Sequence, residues 1–134
     1  MNHIHNALAL LGRIAFAAFF IPSGIGKLTG YAGTAAYMAA HGVPTWLLPL
    51  VIITEIGGGL LLLFGWHTRI VAFLLGGFAL IAVLVFWLHP TDPVGMIVRS
   101  AELAVAGGLW FIAARGDNGW SVDGLLARRT ATRV

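Results

Sequence analysis

Four apolar runs, each about 20 residues long, fix what this chain can become. They cover residues 7–27, 46–66, 69–88 and 93–114. A helix rises about 1.5 Å per residue, so about 20 residues match a hydrocarbon layer about 30 Å thick. Inside that layer no water satisfies the backbone, and a spanning segment must close its own hydrogen bonds as a helix or within a closed barrel. None of the runs alternates with period two, which leaves helices. Composition agrees. Hydrophobic residues make up 59% of the 134 positions and charged residues 10%. A soluble domain carries about a quarter charged residues. The expected fold is all-α: a polytopic membrane protein with four transmembrane helices in one bundle, residues 1–116, and a basic tail, residues 117–134.

The connections differ in kind. His67-Thr68 is a tight turn, and His89-Pro90-Thr91-Asp92-Pro93 is a short proline-punctuated loop. The longest link, residues 28–45, contains Thr34 as a candidate N-cap and Gly42 as a candidate C′ residue. A short interfacial or re-entrant helix is expected between them. The first six residues lack the Lys/Arg of a secretory leader, and no small-x-small site follows, so the first run reads as a retained span. Arg69, Arg115, Arg128, Arg129 and Arg133 fall on one side of the membrane, and Lys27 and Asp92 on the other. Cytoplasmic loops carry the excess of Lys/Arg, so both termini are expected in the cytoplasm. Trp46 and Trp87 then belong to the outer aromatic belt, Trp66 and Trp110 to the inner one.

Charges inside the runs are the informative residues: Arg13, Glu55, Arg99 and Glu102, with Lys27 at a helix end. An ionisable group at the bilayer centre costs roughly 2.5 kcal/mol or more, so it faces the bundle interior and pairs. Glu55 lies nine residues after Trp46, and Glu102 nine after Pro93. Both therefore sit about 14 Å deep. Arg99 and Glu102, three apart, share a helix face. The expectation is one buried polar network of Arg13, Glu55, Glu102 and Arg99, capped by Lys27. It serves either as an ion-pair staple that fixes helix register or as a site for a polar head group or a proton path.

Glycines at positions 57–59, 76–77 and 107–108 lie inside the spans. Close helix packing through small residues is their ordinary use, and room for a flat ligand is the alternative. A faint repeat is also visible. Gly12-Arg13-Ile14 opens the first span and Thr68-Arg69-Ile70 the third, with Glu55 and Glu102 in the second and fourth. Two related helical hairpins would give this pattern.

Other chemistries find little support. There is no cysteine, which excludes disulfides, thiolate nucleophiles and Cys-ligated metal centres. His41, His67 and His89 each sit at a helix end, where interfacial hydrogen bonding is the expected role. A haem would need His41 and His89 together on the outer side; no haem or other metal is expected. Gly24-Ile25-Gly26-Lys27-Leu28 is no P-loop, since Ile21 occupies the upstream glycine position and Leu28 the Ser/Thr position. The basic residues outside the tail form no continuous face, so nucleic acid is not an expected partner.

Several short motifs, in order, carry a resemblance. They are Gly12-Arg13-Ile14, then Pro22-Ser23-Gly24-Ile25-Gly26-Lys27-Leu28, His41-Gly42-Val43-Pro44, Glu55-Ile56-Gly57-Gly58-Gly59-Leu60, Ala106-Gly107-Gly108-Leu109 and Trp120-Ser121-Val122-Asp123. Across nearly its whole length the chain resembles the DoxX family of small four-span bacterial membrane proteins. It departs at Glu102, where that family often carries asparagine or a similar polar residue. The resemblance implies residence in the bacterial inner membrane. It also implies a link to membrane redox systems such as thiosulfate:quinone oxidoreductase, with functional positions at Arg13, Lys27 and Glu55 and further ones at Ser121 and Asp123. A quinone is the expected cofactor. Membrane lipid, a redox protein and a second copy are the expected partners. A non-catalytic scaffold for a soluble partner and a small-molecule transporter are the alternatives.

Overall fold

The computed structural model describes residues 3–87, 93–117 and 119–132. Side chains are described for all of these except Phe86, Trp87, Pro93, Val94 and Gly95. The expectations placed on His89, Asp92, Arg133 and the Trp87 side chain lie outside the described residues. The elements run α1 (His3–Thr29), α2 (Tyr31–Ala40), a 3-10 turn (Thr45–Leu47), α3 (Leu48–Phe64), α4 (Thr68–Trp87), α5 (Pro93–Arg115) and α6 (Val122–Ala131). No strand occurs among the described residues. Four segments are long and apolar enough to cross a bilayer: His3–Thr29, Thr45–Phe64, Thr68–Val85 and Met96–Arg115.

Burial is inverted relative to a soluble bundle. Leu8, Leu11, Ile53, Phe73, Leu74, Ile97 and Phe111 are exposed on the outside, whereas Arg13, Glu55, Arg99 and Asp117 are buried. Apolar side chains outside and charges inside are stable only with lipid as the solvent.

α1 packs along α3, and α4 along α5; a smaller α3–α4 contact joins the two pairs. The first and second spans thus form one hairpin, the third and fourth another, which is the pairing that the faint repeat suggests. The main core lies where they meet: Phe20 of α1, Leu62 of α3, Ala72 and Leu75 of α4, and Leu109 of α5. Gly24, Gly58, Gly59, Gly76 and Gly108 sit at helix crossings, where an added Cβ would lie 2.5–2.8 Å from a side chain of the neighbouring helix. Gly57, Gly77 and Gly107 face open space. The packing use expected of the span glycines therefore holds for one or two residues of each cluster.

The short helix after the first span is present, with one correction. Thr34 is not its N-cap. α2 starts at Tyr31, only Gly30 separates it from α1, and the Gly30 amide still donates to the Gly26 carbonyl. Thr34 therefore lies inside the helix, and its hydroxyl donates to the Gly30 carbonyl at 3.0 Å. Gly30 takes the cap position instead, without a side-chain hydrogen bond. Gly42 does close the helix, with φ 72°. The Val43 amide donates to the Met38 carbonyl and the Gly42 amide to Ala39, the Schellman pattern. Met38 then packs on Leu48 and Ile52, folding α2 onto the start of α3.

Gly24 and Gly26 make a matched test. A Cβ at Gly24 would stand 2.6 Å from Ile56 and 3.2 Å from the Cβ of Glu55, whereas Gly26 has nothing within 4 Å. Gly24→Val should destabilise the protein by about 1–3 kcal/mol through overpacking, with Gly26→Val much milder. Thermal unfolding of both variants in one detergent reads the difference.

Candidate functional site

Two clusters of charge occupy different levels of the bundle. The first centres on Arg13, only 1% exposed. Its Nε donates to Asp117 Oδ2 at 2.7 Å, and its Nη1 donates to the carbonyls of Leu62 and Leu63 at 3.1 and 2.8 Å. Nη2 donates to the Trp120 carbonyl. Leu62 and Leu63 lie in the last turn of α3, where carbonyls lack helical partners and the helix dipole favours a cation. Arg13 therefore closes the C-terminus of α3 and ties it to the segment after α5. Asp117 also accepts from the Gly119 amide at 2.9 Å.

Ser121 and Asp123 belong to this end. Ser121 caps α6: its Oγ accepts from the Gly124 amide at 3.0 Å and donates to the Asp117 carbonyl at 2.6 Å. The carboxylate of Asp123 accepts from the amides of His67 and Thr68 at 2.9 and 2.8 Å, so it caps the N-terminus of α4 from a distant part of the chain. It holds a turn in which Gly65 has φ 72° and His67 φ 52°. Burial works to raise the pKa of Asp123. The amides of Thr68 and His67 outweigh it and hold the carboxyl below its ordinary value.

The second cluster lies at the other end of α1, with Lys27 in its last turn. Lys27 Nζ donates to both oxygens of Glu55, at 2.9 and 3.1 Å, and to Ser23 Oγ at 2.8 Å. Glu55 is 4% exposed, and Glu102 lies within electrostatic reach of both partners. Lys27, Glu55, Arg99 and Glu102 line one cavity of about 640 Å³. The rest of its wall is mostly apolar, with Met38, Val43, Leu47, Leu50, Val51, Phe78, Ile81, Ala82, Val85 and Val98 beside the hydroxyl-bearing Thr34, Tyr37 and Thr54. That volume lies within the range of roughly 300–1,000 Å³ of small-molecule sites.

The single network expected from the sequence is therefore two. Lys27, Glu55, Arg99 and Glu102 do come together. Arg13 does not join them, because it sits 14 residues before Lys27 on α1, about 21 Å along the axis. At that level its nearest acceptors are the ends of α3 and Asp117. The buried plug of Phe20, Leu62, Leu75 and Leu109 lies in the bundle core. Asp117 is the residue that sequence reasoning missed. The signal was there: the acid follows the fourth span directly, on the same side of the membrane as the start of the first. The span glycines do not line this cavity.

Spans of this length around buried charges define a small four-span membrane protein. The DoxX family model matches residues 8–90, α1 through α4 and just beyond. The chain belongs to the DoxX family. It is 40% identical to inner membrane protein YqjF of Escherichia coli (strain K12) over 96% of this chain and 99% of that protein. It is 32% identical to inner membrane protein YphA of the same organism over 87% of this chain and 88% of YphA. A third relative, "Putative oxidoreductase CatD" of Bacillus subtilis (strain 168), is 32% identical over 55% of each chain. No solved structure matches.

Two outcomes follow. Removing one partner of the buried Arg13–Asp117 pair strands a charge, so Arg13→Met and Asp117→Asn should each cost about 3–5 kcal/mol. The double variant should cost clearly less than the sum, in denaturant titrations of the purified protein. For Asp123, whose folded pKa lies below its unfolded one, the stabilisation is complete above the ordinary carboxylate range. It is lost as the pH falls through the lowered value. Hydrogen exchange at the His67 and Thr68 amides, taken relative to the intrinsic rate at each pH, should become less protected on acidification in the native chain. In Asp123→Ala it should be fast at neutral pH, with a stability cost of about 1 kcal/mol.

Proposed function

We propose that this protein is a quinone-binding subunit of a membrane redox system and that the cavity around Lys27 and Glu55 holds the quinone head group. The observation that carries this reading is a mostly apolar chamber with two cations and two carboxylates converging in it at membrane depth. A quinone needs the same mixture: an apolar slot for the ring, donors for its oxygens, and groups that pass protons. A bound quinone would supply the acceptor chemistry, taking up two electrons and two protons to become quinol.

The chain's own residues account for binding and protons. Lys27 and Arg99 can donate to quinone oxygens. Glu55 and Glu102 can hold and release a proton inside the cavity, and Lys27 keeps Glu55 oriented. Electrons come from a protein partner, since the chain has no cysteine to form a dithiol or iron–sulfur centre. The name of the Bacillus relative, "Putative oxidoreductase CatD", supports the redox setting, and a thiosulfate-oxidising partner is one form of it. The Lys/Arg distribution supports a cytoplasmic side for both termini, where such a partner would meet α6 with its exposed Arg128 and Arg129. The same exposed helix supports a second reading, in which the protein is a scaffold without its own ligand. A transporter fits less well, because the apolar plug lies between the cavity and the Arg13 end.

The test is purification in mild detergent followed by organic extraction. Wild-type protein should carry quinone near one molecule per chain. Glu55→Gln should insert normally, retain much less quinone and lower quinone-dependent turnover of the membranes. Wild-type protein free of quinone from a quinone-replete host would leave the scaffold reading standing.

A further inference from the structure

Within the cavity the four charged residues are not equally satisfied. Lys27 and Glu55 bond to each other. Arg99, 6% exposed, has its Nη2 buried without a hydrogen-bond partner among the described residues. Leaving a buried donor unsatisfied costs about 1–3 kcal/mol, and more for a charged group. The guanidinium lines the cavity. The site therefore lacks one acceptor oxygen, and Arg99 marks where that oxygen belongs.

A second observation concerns how such an oxygen arrives. α3 and α5 both line the cavity but make few contacts with each other, unlike the pairs α1–α3 and α4–α5. The lining residues Leu50 of α3, Ile81 of α4 and Val98 of α5 are also 54%, 63% and 50% exposed on the outside of the bundle. They belong to the wall and to the lipid-facing surface at once. On α3, α4 and α5 this rim is apolar, and the hydroxyl-bearing Thr34 and Tyr37 line the wall on the α2 side, away from it in sequence and element. The rim suits a molecule already dissolved in the bilayer.

From these two features we infer that the ligand enters sideways from the membrane across the rim of Leu50, Ile81 and Val98, and that Arg99 recognises its head group by donating from Nη2 to a ring oxygen. The occupant is an isoprenoid quinone whose tail stays among the lipid chains beside the rim. This rests on the quinone-binding reading above. It singles out Arg99 Nη2 as the recognising donor and adds a route; Arg99 and Val98 lie on α5, beyond the segment that the family model matches.

The experiment uses the full-length protein in lipid nanodiscs containing decylubiquinone, with an azido-quinone photolabel as a second probe. Arg99→Met should weaken decylubiquinone binding tenfold or more, and Arg115→Met at the far end of α5 should leave it unchanged. Val98→Trp should narrow the rim and cut photolabelling of α3 and α5 at least several-fold, while Ile70→Trp on a distant lipid-facing surface should not. Arg99 and Val98 act at different points, so a folding defect in one variant leaves the other informative. Wild-type protein that binds no quinone would overturn both the proposed function and this inference. Wild-type binding that survives Arg99→Met unchanged, or photolabel confined to α1 and α6, would overturn the inference and leave the function intact. Quantitative disulfide linkage of Val98→Cys between copies would put a second chain on the rim and also overturn lateral entry.

Discussion

An arginine that closes the end of a neighbouring helix organises this molecule. The last turn of a helix leaves carbonyls without partners and a partial negative charge, costly wherever water is scarce. Arg13 meets that need for α3 by donating to Leu62 and Leu63. Arg69 does the same for α5, its Nε donating to the Ala113 carbonyl at 2.9 Å. In each hairpin an arginine near the start of the first helix thus caps the end of the second. Each capped end is followed by a left-handed glycine, Gly65 with φ 72° and Gly116 with φ 70°. Side-chain space is taken at both: an added Cβ would lie 2.6 Å from Arg13 Nη1 at Gly65 and 2.9 Å from Arg69 Cδ at Gly116.

This repeated clamp divides the bundle into a closed end and an open one. At the closed end Arg13, Asp117, Ser121 and Asp123 satisfy one another and the backbone around them. A buried ion pair of this kind contributes specificity more than net stability, since desolvation offsets much of the attraction. Its effect is to fix the level at which α1, α3 and α4 meet and to dock α6 on the turn between α3 and α4. At the open end α3 and α5 are left apart. A rigid knot on one side lets the other carry a cavity with unsatisfied charge. Sites with under-satisfied polar groups persist where the surrounding structure holds them in place.

Much of the fold was legible in the sequence because the bilayer imposes few solutions. Run length and missing alternation were enough for four helices, and Gly42 was recognisable as a helix end. Thr34 misled because cap signals assume a helix that starts afresh, while α2 continues from α1 across Gly30. The site was legible by half. Depth along each helix correctly grouped Glu55, Glu102, Arg99 and Lys27. It could not show which way the Arg13 side chain turns. A guanidinium has five donors and takes the acceptors nearest its own level, here helix-end carbonyls and Asp117. Backbone carbonyls carry no residue-type signal, so of the competitors for Arg13 only Asp117 was visible in the sequence.

The repeat also indicates why the cavity lies where it does. Lys27 follows Arg13 by 14 residues, and the residue 14 after Arg69 is Val83, an apolar side chain buried in the bundle. The first hairpin thus places its cation on its first helix, within reach of Glu55. The second hairpin has no cation at that position and carries Arg99 on its second helix instead, three residues from Glu102 on the same face. If both hairpins had Lys27-like pairs, each carboxylate would be neutralised across its own hairpin. With Arg99 displaced to α5, the second set of charges has no cation on α4 to pair with, and the chamber between the hairpins stays polar on one side. The two halves are alike where they clamp helix ends. Where they differ, they leave a charged cavity, and a site that must accept and release a ligand needs that difference, because a fully paired interior would have no acceptor or donor to offer it.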